Sequence, residues 1–380
     1  MVIYPRSIQS IFEKNLRPNK VLMLIGPRRV GKTTFIRNYL KAFKAEEILK
    51  LNGEDILDAA LIQERSVANY SRLLEGKKLL VIDEAQHIRN IGMILKLIVD
   101  TIEGIRVIAS GSSAFDLHQQ AGEPLVGRMS TLNLFPLGQL EYSKVEDFKT
   151  TQENREERLI FGGYPELSQY SEWKDKEAYL YQIMNDYLLK DILKVDGVRN
   201  SHKLYSLLRL IAFQIGKEVS LEELGRQLGM SKNTVERYLD MLSKVFVVYR
   251  ISGFNRNLRK EIVKNNRWYF YDNGVRNALI QNFNKLDLRA DVGELWENYL
   301  AAERIKFQNY TQLHCTNYFW RTYDQQELDW VETEGDTIRS YAFKYNLNKS
   351  PKAPIGWKNA YPEASFEVIH SGNYLEWIGE

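Results

Sequence analysis

Through the first 150 residues, short apolar runs alternate with stretches in which apolar residues recur every three or four positions. The runs are Val21–Ile25, Ile48–Asn52, Leu79–Ile82, Ile105–Ala109 and Thr131–Phe135. Each is too short for a stable helix and reads as a strand, while the intervening periodic stretches, such as Thr34–Phe43 and Ile91–Ile102, read as amphipathic helices. That alternation predicts a parallel sheet covered by helices on both faces. Gly162, Gly163 and Pro165 interrupt it. A Tyr- and Leu-rich stretch from about Lys174 to Ile215 then carries a helical pattern with no strand signal.

A different signature follows. Glu222–Leu228 predicts one helix and Ser231–Ser243 a second, with Gly229 at the turn between them and Ser231 as N-cap. Val245–Ile251 is apolar and β-branched, so the segment predicts a helix-turn-helix followed by a wing strand. Beyond Gly253 the chain turns polar and basic, then reads as mixed α/β to its end. The expected organisation is an α/β domain over 1–150, a helical region with a winged helix over 151–254, and a second α/β domain over 255–380.

Composition agrees with this many folded parts. At roughly 150 residues per domain, 380 residues imply two or three domains. Six of the seven Trp lie at or beyond Trp268, so the two ends of the chain have different cores. The single Cys315 excludes an internal disulfide and a Cys-cluster zinc site. No apolar run approaches the roughly 18 residues of a membrane span. The start of the chain shows no secretory leader, so a cytoplasmic protein with no membrane partner is expected. The net charge of +3 excludes a uniformly basic protein. It conceals a local excess, since residues 1–45 hold ten Lys/Arg against the single acid Glu13.

That basic end contains Gly26-Pro27-Arg28-Arg29-Val30-Gly31-Lys32-Thr33, followed by Thr34, which fits the phosphate-binding pattern G-x-x-x-x-G-K-[ST] between a predicted strand and a predicted helix. Glycines let the backbone curl so that N–H groups face phosphate oxygens, and the helix N-terminus adds positive field. Lys32 reaches the outer phosphates as a point charge and Thr33 offers a hydroxyl to Mg²⁺. About fifty residues on, the apolar run Leu79–Ile82 ends in Asp83 and Glu84, which divides two tasks between two acids. Asp83 serves the metal and Glu84 polarises the attacking water as general base. Ser110 and Ser112 lie where a neighbouring parallel strand ends, in reach of the same crevice. Arg128 offers a guanidinium to developing phosphoryl charge, with a surface salt bridge as the alternative. The expected cofactors are ATP and Mg²⁺.

These residues, together with Asp-Glu-Ala-Gln at 83–86, Ser-Gly-Ser-Ser at 110–113, Gly-Arg at 127–128 and Phe-Pro-Leu at 135–137, resemble the prokaryotic AAA+ superfamily of P-loop ATPases. Within it the chain is similar to the group that adds a winged helix and a C-terminal domain of uncharacterised role. Gly162-Gly163-Tyr164-Pro165, Lys190-Asp191-Ile192, the Gly293–Asn298 stretch and Glu327-Leu328-Asp329 carry that likeness. The resemblance implies Walker A at 26–34, Walker B at 83–84, and a sensor in the Ser110/Ser112 region. It also implies that Arg128 acts as an arginine finger on a neighbouring subunit, hence a homo-oligomer.

Two further readings concern macromolecular partners. Lys232, Asn233, Thr234 and Arg237 lie on the early turns of the second helix of the pair, where DNA contacts occur, although Glu236 and Asp240 would repel phosphates. Residues 250–267 add Arg250, Arg256, Arg259, Lys260, Lys264 and Arg267 against Glu261, near Phe254 and Trp268, a composition that suits a nucleic-acid strand or a solvated linker. The final region resembles the PD-(D/E)XK nuclease core, an α/β restriction-endonuclease-like fold. Glu297, Asp329 and Lys344 match its positions, but Ala342 stands where an acid is required, so an inactive domain is expected. The leading expectation is an ATP-hydrolysing ATPase coupled to a DNA or protein partner. The alternatives are a nucleotide-switched binding module with little turnover and a metal-dependent nuclease. The five histidines show no metal-binding spacing, and Cys315 reads as an ordinary thiol.

Overall fold

The computed structural model describes residues 4–112, 125–188, 201–255, 266–346 and 351–379. Contacts group them into two compact units. One comprises Arg6–Phe135 with Lys244–Phe246; the other comprises Pro136–Ser243 and Val247–Glu380 with the first residues of the chain. The residue-150 boundary expected from sequence falls within the helix Phe148–Phe161 of the second unit. The boundary near 255 also falls within that unit.

The first unit is built on five parallel strands: β1 (Lys20–Ile25), β2 (Ile48–Asn52), β3 (Leu79–Asp83), β4 (Arg106–Gly111) and β5 (Met129–Asn133). Their spatial order is β2-β3-β4-β1-β5. Val21 to Leu24, Leu79 to Ile82 and Val107 to Ala109 are all fully buried, as continuous apolar runs covered on both faces must be. The helix Ile91–Thr101 lays Ile91, Ile94, Leu95 and Ile98 against this core. The last strand is shifted two residues toward the start of the chain from its apolar run and ends at Asn133, just before Leu134. The Leu134 N–H bonds to Ile25 at 2.7 Å, and its carbonyl oxygen lies 2.1 Å from where a Cβ on Gly26 would stand. Only glycine fits at position 26.

The second unit carries a seven-stranded mixed sheet: β6 (Glu218–Val219), β7 (Val248–Gly253), β8 (Asn266–Phe270), β9 (Thr316–Arg321), β10 (Glu327–Glu334), β11 (Thr337–Lys344) and β12 (Ser365–His370), in the order β12-β11-β10-β9-β7-β8-β6. The helix pair expected from sequence is present as Leu221–Leu228 and Lys232–Lys244, and Ser231 Oγ accepts the Thr234 N–H at 3.1 Å. The strand that follows the pair, β7, does not stay within a separate small domain. It pairs antiparallel with β8 on one side and parallel with β9 on the other, so the two sequence-predicted domains share one sheet.

The tryptophans divide between the two faces of that sheet. Trp296, Trp330 and Trp377 pack with Tyr299, Phe343 and Tyr374 on one face, and Trp320 and Trp357 pack with Phe254, Leu328 and Val331 on the other. Strand β10 feeds both through its alternation, with a register shift between Leu328 and Val331. Under the first face lies the buried ion pair of Arg304 with Glu332, bidentate at 2.6 and 2.8 Å. The Gly162-Gly163 break also has a structural cause. Gly162 has φ +75°, and a Cβ there would lie 2.1 Å from Asp272 Oδ1, while Gly163 donates its N–H to Asp272 Oδ2 at 2.7 Å. The same carboxylate caps the helix Asn273–Ile280 through the Gly274 N–H at 2.9 Å.

Candidate nucleotide-binding site

The parallel register brings the C-terminal ends of β1, β4 and β3 side by side, pairing Ile25 with Gly111 and Ile82 with Ala109. Everything attached to those ends faces one crevice, as in other open parallel sheets. The loop 26–31 leaves β1 there and enters the helix Lys32–Leu40, whose N-cap Gly31 has φ +92°. Arg29 also sits at positive φ, +66°. Lys32 is buried at 6% exposure and donates to the carbonyls of Gly26 at 2.8 Å and Pro27 at 3.0 Å. Its ammonium therefore lies within the curl of the loop, and not on the helix surface. Arg28 is half-buried, Pro27 and Val30 are buried, and Arg29 and Thr34 are exposed.

Across the crevice, the Asp83 carboxylate binds three groups. Thr33 Oγ1 donates to Oδ2 at 2.8 Å, the buried Ser110 hydroxyl donates to Oδ1, and the Glu84 N–H reaches Oδ1 at 3.2 Å. Three of the sequence-expected residues are thus hydrogen-bonded to a fourth, Asp83. Glu84 stands beside them in the left-handed region at φ +49°. Gly53, at the end of β2, supports that turn. It donates its N–H to the Asp83 carbonyl at 2.8 Å, and a Cβ there would lie 2.3 Å from the Glu84 carbonyl oxygen.

Two residues given no role in the sequence reading join this arrangement. The Gln86 amide donates to Glu84 Oε2 at 2.6 Å and to Ser112 Oγ at 3.4 Å, linking the acid on one strand end to the serine on the next. Gln86 belongs to the quoted Asp-Glu-Ala-Gln stretch, so a signal existed. Arg6, buried at 9% exposure, donates to the carbonyls of Val30 at 2.7 Å and Phe135 at 2.6 Å. No local pattern marks it, because its partners lie 24 and 129 residues away. His87 faces Glu54 at 3.5 Å, and its ring and the Glu54 and Glu84 carboxylates lie within 4.8 Å of one another.

Arg128 is not brought to this cluster. It precedes β5, which runs parallel to β1 with Met129 opposite Val21 and Asn133 opposite Ile25, so it sits at the far end of the sheet. At about 3.3 Å per residue the two ends are roughly 16 Å apart. There the guanidinium forms a half-exposed ion pair with Asp100.

In the second unit the acids of the nuclease-like pattern converge, but with a cation already among them. Glu297, on the helix Val292–Thr311, accepts a hydrogen bond from the Tyr269 hydroxyl at 2.6 Å, and burial next to Asp329 pushes its pKa up to about 8. Asp329 is likewise raised by burial, while it accepts the Phe343 N–H at 2.7 Å. The Arg267 guanidinium, 3% exposed, faces Glu297 at 3.5 Å and Glu327 at 3.0 Å. With a fixed positive charge against two of the acids and the methyl of Ala342 on the neighbouring strand, this donor set does not suit a divalent metal.

The same side chains revise the basic 250–267 surface expected from sequence. Arg267 is buried in ion pairs, and Trp268 and Phe254 are core residues at 3% and 8% exposure. Arg256, Arg259, Lys260 and Lys264 lie outside the described residues, as do Lys190, Asp191, Ile192 and Ser113. On the helix pair, Lys232 is paired with Glu222 at 3.0 Å, and Asn233 is exposed. None of the helices among the described residues is long and apolar enough to cross a membrane.

Three family models match successive parts of the chain: an AAA domain over residues 18–143, a domain of unknown function (DUF8612) over 152–286 and another (DUF4143) over 292–378. An uncharacterised protein of Mycobacterium tuberculosis is 27% identical over 98% of this chain and 81% of its own length. An uncharacterised protein of Methanocaldococcus jannaschii is 23% identical over 78% of this chain and 72% of its own. Among solved structures, NtrX from Brucella abortus in complex with ATP overlaps 64% of this chain and 69% of its own at 14% identity, with a TM-score of 0.27. A Pif1 helicase from Candida albicans overlaps 47% of each chain at 14% identity, also at 0.27. Overlaps this weak do not carry a fold from one chain to the other. The AAA-domain match spans every residue of the crevice from Gly26 to Ser112, and Arg128 as well. The first unit is thus similar to AAA domains of the P-loop ATPase class.

Proposed function

We propose that the first unit binds Mg·ATP at the 26–34 loop and hydrolyses it, and that turnover is coupled to a DNA or protein partner through the second unit. The observation that carries this is the meeting of Thr33, Asp83 and Ser110 at one carboxylate beside Glu84, with Lys32 enclosed in the adjoining loop.

The donor set fits the cofactor. Mg²⁺ prefers oxygen ligands and few of them from protein, and Thr33 Oγ1 and Asp83 Oδ2 supply two such oxygens 2.8 Å apart. When bound, the ion neutralises phosphate charge and polarises the terminal phosphoryl group. The loop N–H groups and Lys32 hold the phosphates in line. Glu84 accepts a proton from the attacking water, and the Gln86 amide keeps its carboxylate turned toward that position. Ser110 holds Asp83 in orientation. Ser112, bonded to the same Gln86, stands where it reaches the terminal phosphate or the water. Arg128 cannot serve the nucleotide of its own copy from the far end of the sheet. It serves as a finger on an adjacent copy, exchanging its Asp100 pairing for phosphoryl charge, which makes a homo-oligomer the active form.

The test is ATP turnover and binding in purified protein. Lys32→Ala is expected to lose both. Glu84→Gln is expected to keep ATP binding and lose turnover by roughly 10²-fold or more. Unchanged turnover in both variants would remove the assignment. Adding duplex DNA, single-stranded DNA or peptide to the assay at two salt concentrations identifies the partner class, since nucleic-acid stimulation weakens steeply with salt.

A further inference from the structure

A phosphate-binding loop must turn several backbone N–H groups inward, so the carbonyls of the same peptide planes turn outward and need partners of their own. In this loop Val30 lies between two residues at positive φ, Arg29 at +66° and Gly31 at +92°. Such alternation forms a concave nest of N–H groups suited to anions. It is not self-sustaining, because a non-glycine residue in the left-handed region costs on the order of 1 kcal/mol and persists only where surrounding contacts hold it.

The contact that holds it is Arg6. One end of the guanidinium donates to the Val30 carbonyl at 2.7 Å and the other to the Phe135 carbonyl at 2.6 Å. The same nitrogen that binds Val30 stands 3.8 Å from where a Gly31 Cβ would be, so the group lies against the loop's outer side. No peptide among the described residues is cis. In a trans peptide the C=O of one residue and the N–H of the next point in opposite directions. Fixing the Val30 carbonyl toward Arg6 therefore points the Gly31 N–H the opposite way, away from Arg6. The second hydrogen bond ties this peptide to Phe135, just beyond Leu134, whose carbonyl already lies against Gly26.

We infer that Arg6 is a positioning residue for nucleotide binding: it orients the Val30–Gly31 peptide so that the Gly31 amide faces the phosphates. It acts through the loop backbone, and adds a fixed positive charge behind it. This inference rests on the ATP-site reading above. Lysine keeps the charge but has one nitrogen in place of a rigid fork, and so cannot reproduce both bonds in the same geometry.

The experiment compares wild-type protein with Arg6→Gln and Arg6→Lys. It measures binding of a fluorescent ATP analogue, steady-state turnover, and thermal unfolding without nucleotide. Arg6→Gln is expected to raise Kd and KM about tenfold or more while kcat at saturating ATP stays within about threefold, the pattern of lost positioning for binding. Arg6→Lys is expected to fall between. In protein labelled with ¹⁵N-glycine, the Gly31 amide resonance should shift strongly on ADP addition in the wild type and weakly in either variant. A lowered unfolding temperature with unchanged Kd and an unchanged Gly31 shift would make Arg6 a mere brace and overturn the inference. If Arg6→Gln does not fold, Arg6→Lys decides by the same readouts. Failure of the wild type itself to bind ATP would overturn the ATP-site reading, and this inference with it, and is visible before any variant is made.

Discussion

The Thr33 hydroxyl donates to the Asp83 carboxylate at 2.8 Å, across 50 residues of chain. Thr33 opens the helix after β1 and Asp83 closes β3, yet β4 lies between those two strands in the sheet. The bond is possible because both groups project beyond the strand ends. It sets two hard oxygen donors at one point next to the loop.

Removing one of those donors should therefore weaken the metal and leave the loop intact. Thr33→Val is expected to raise the Mg²⁺ concentration needed for half-maximal ATP turnover by about tenfold or more. Thr33→Ser, which keeps the hydroxyl, should stay near wild type. Turnover titrated against Mg²⁺ at fixed ATP distinguishes the two.

Arg128 separates two ways of using the site. With its backbone a strand length, roughly 16 Å, from the end of the sheet that carries the loop, Arg128→Ala should leave ATP affinity unchanged and depress turnover by about 10²-fold or more. Mixing Arg128→Ala protein with Glu84→Gln protein should restore part of the activity, because each supplies what the other lacks at a shared site. A mixture no more active than the average of its components would place Arg128 in a surface ion pair only.

The Arg304–Glu332 pair should behave as a stability element of the second unit. Glu332 has no exposure and also accepts from Trp330 Nε1 and Gln308 Nε2, each at 2.9 Å. Glu332→Ala would leave the guanidinium buried and uncompensated, at a cost of about 3–5 kcal/mol. Urea unfolding followed by tryptophan fluorescence is the measurement, since Trp330 and Trp377 lie within the same core.

Glu297 gives a pH dependence with a definite sign. Its pKa stands near 8 in the folded protein, above the ordinary 4.5. The folded state therefore holds the proton more tightly than the unfolded chain. The stability this contributes is present below pH 4.5 and is lost as pH rises through about 8. Asp329, raised in the same direction by burial, adds to the trend, while the Arg267 guanidinium and the Tyr269 hydroxyl bond favour the Glu297 carboxylate and offset part of the upward shift. Glu297→Gln should flatten the dependence: unfolding temperatures of variant and wild type should be close at pH 5 and favour the variant at pH 8.

Much of the first unit was legible because its strands are buried on both faces and write themselves as unbroken apolar runs. The crevice was legible for a related reason. Glycines, a lysine and paired acids at strand ends have few other uses in that order, and the groups that bond to Asp83 were all singled out. Arg6 was not, because a single arginine near the start of the chain carries no pattern, and its partners are two backbone carbonyls that any sequence would supply. The second unit was read less well. Helix periodicity located the Leu221–Leu228 and Lys232–Lys244 pair, but strand pairing is a long-range property, and nothing in Val248–Gly253 announces that it joins β9. The place of Arg267 was hidden for a similar reason, since a basic residue looks the same in sequence whether it meets solvent or, like Arg267, two carboxylates.

The double pairing of β7 has a practical consequence for anyone dissecting this chain. A fragment ending near residue 254 would keep β7 but strip it of β8 and β9, baring both edges of an apolar strand and leaving Phe254 without its core partners. A fragment starting there would in turn lose β7 from between β9 and β8. Unpaired edges of that kind invite intermolecular pairing. The workable cut lies before residue 136, and the piece from there onward should melt as one cooperative body.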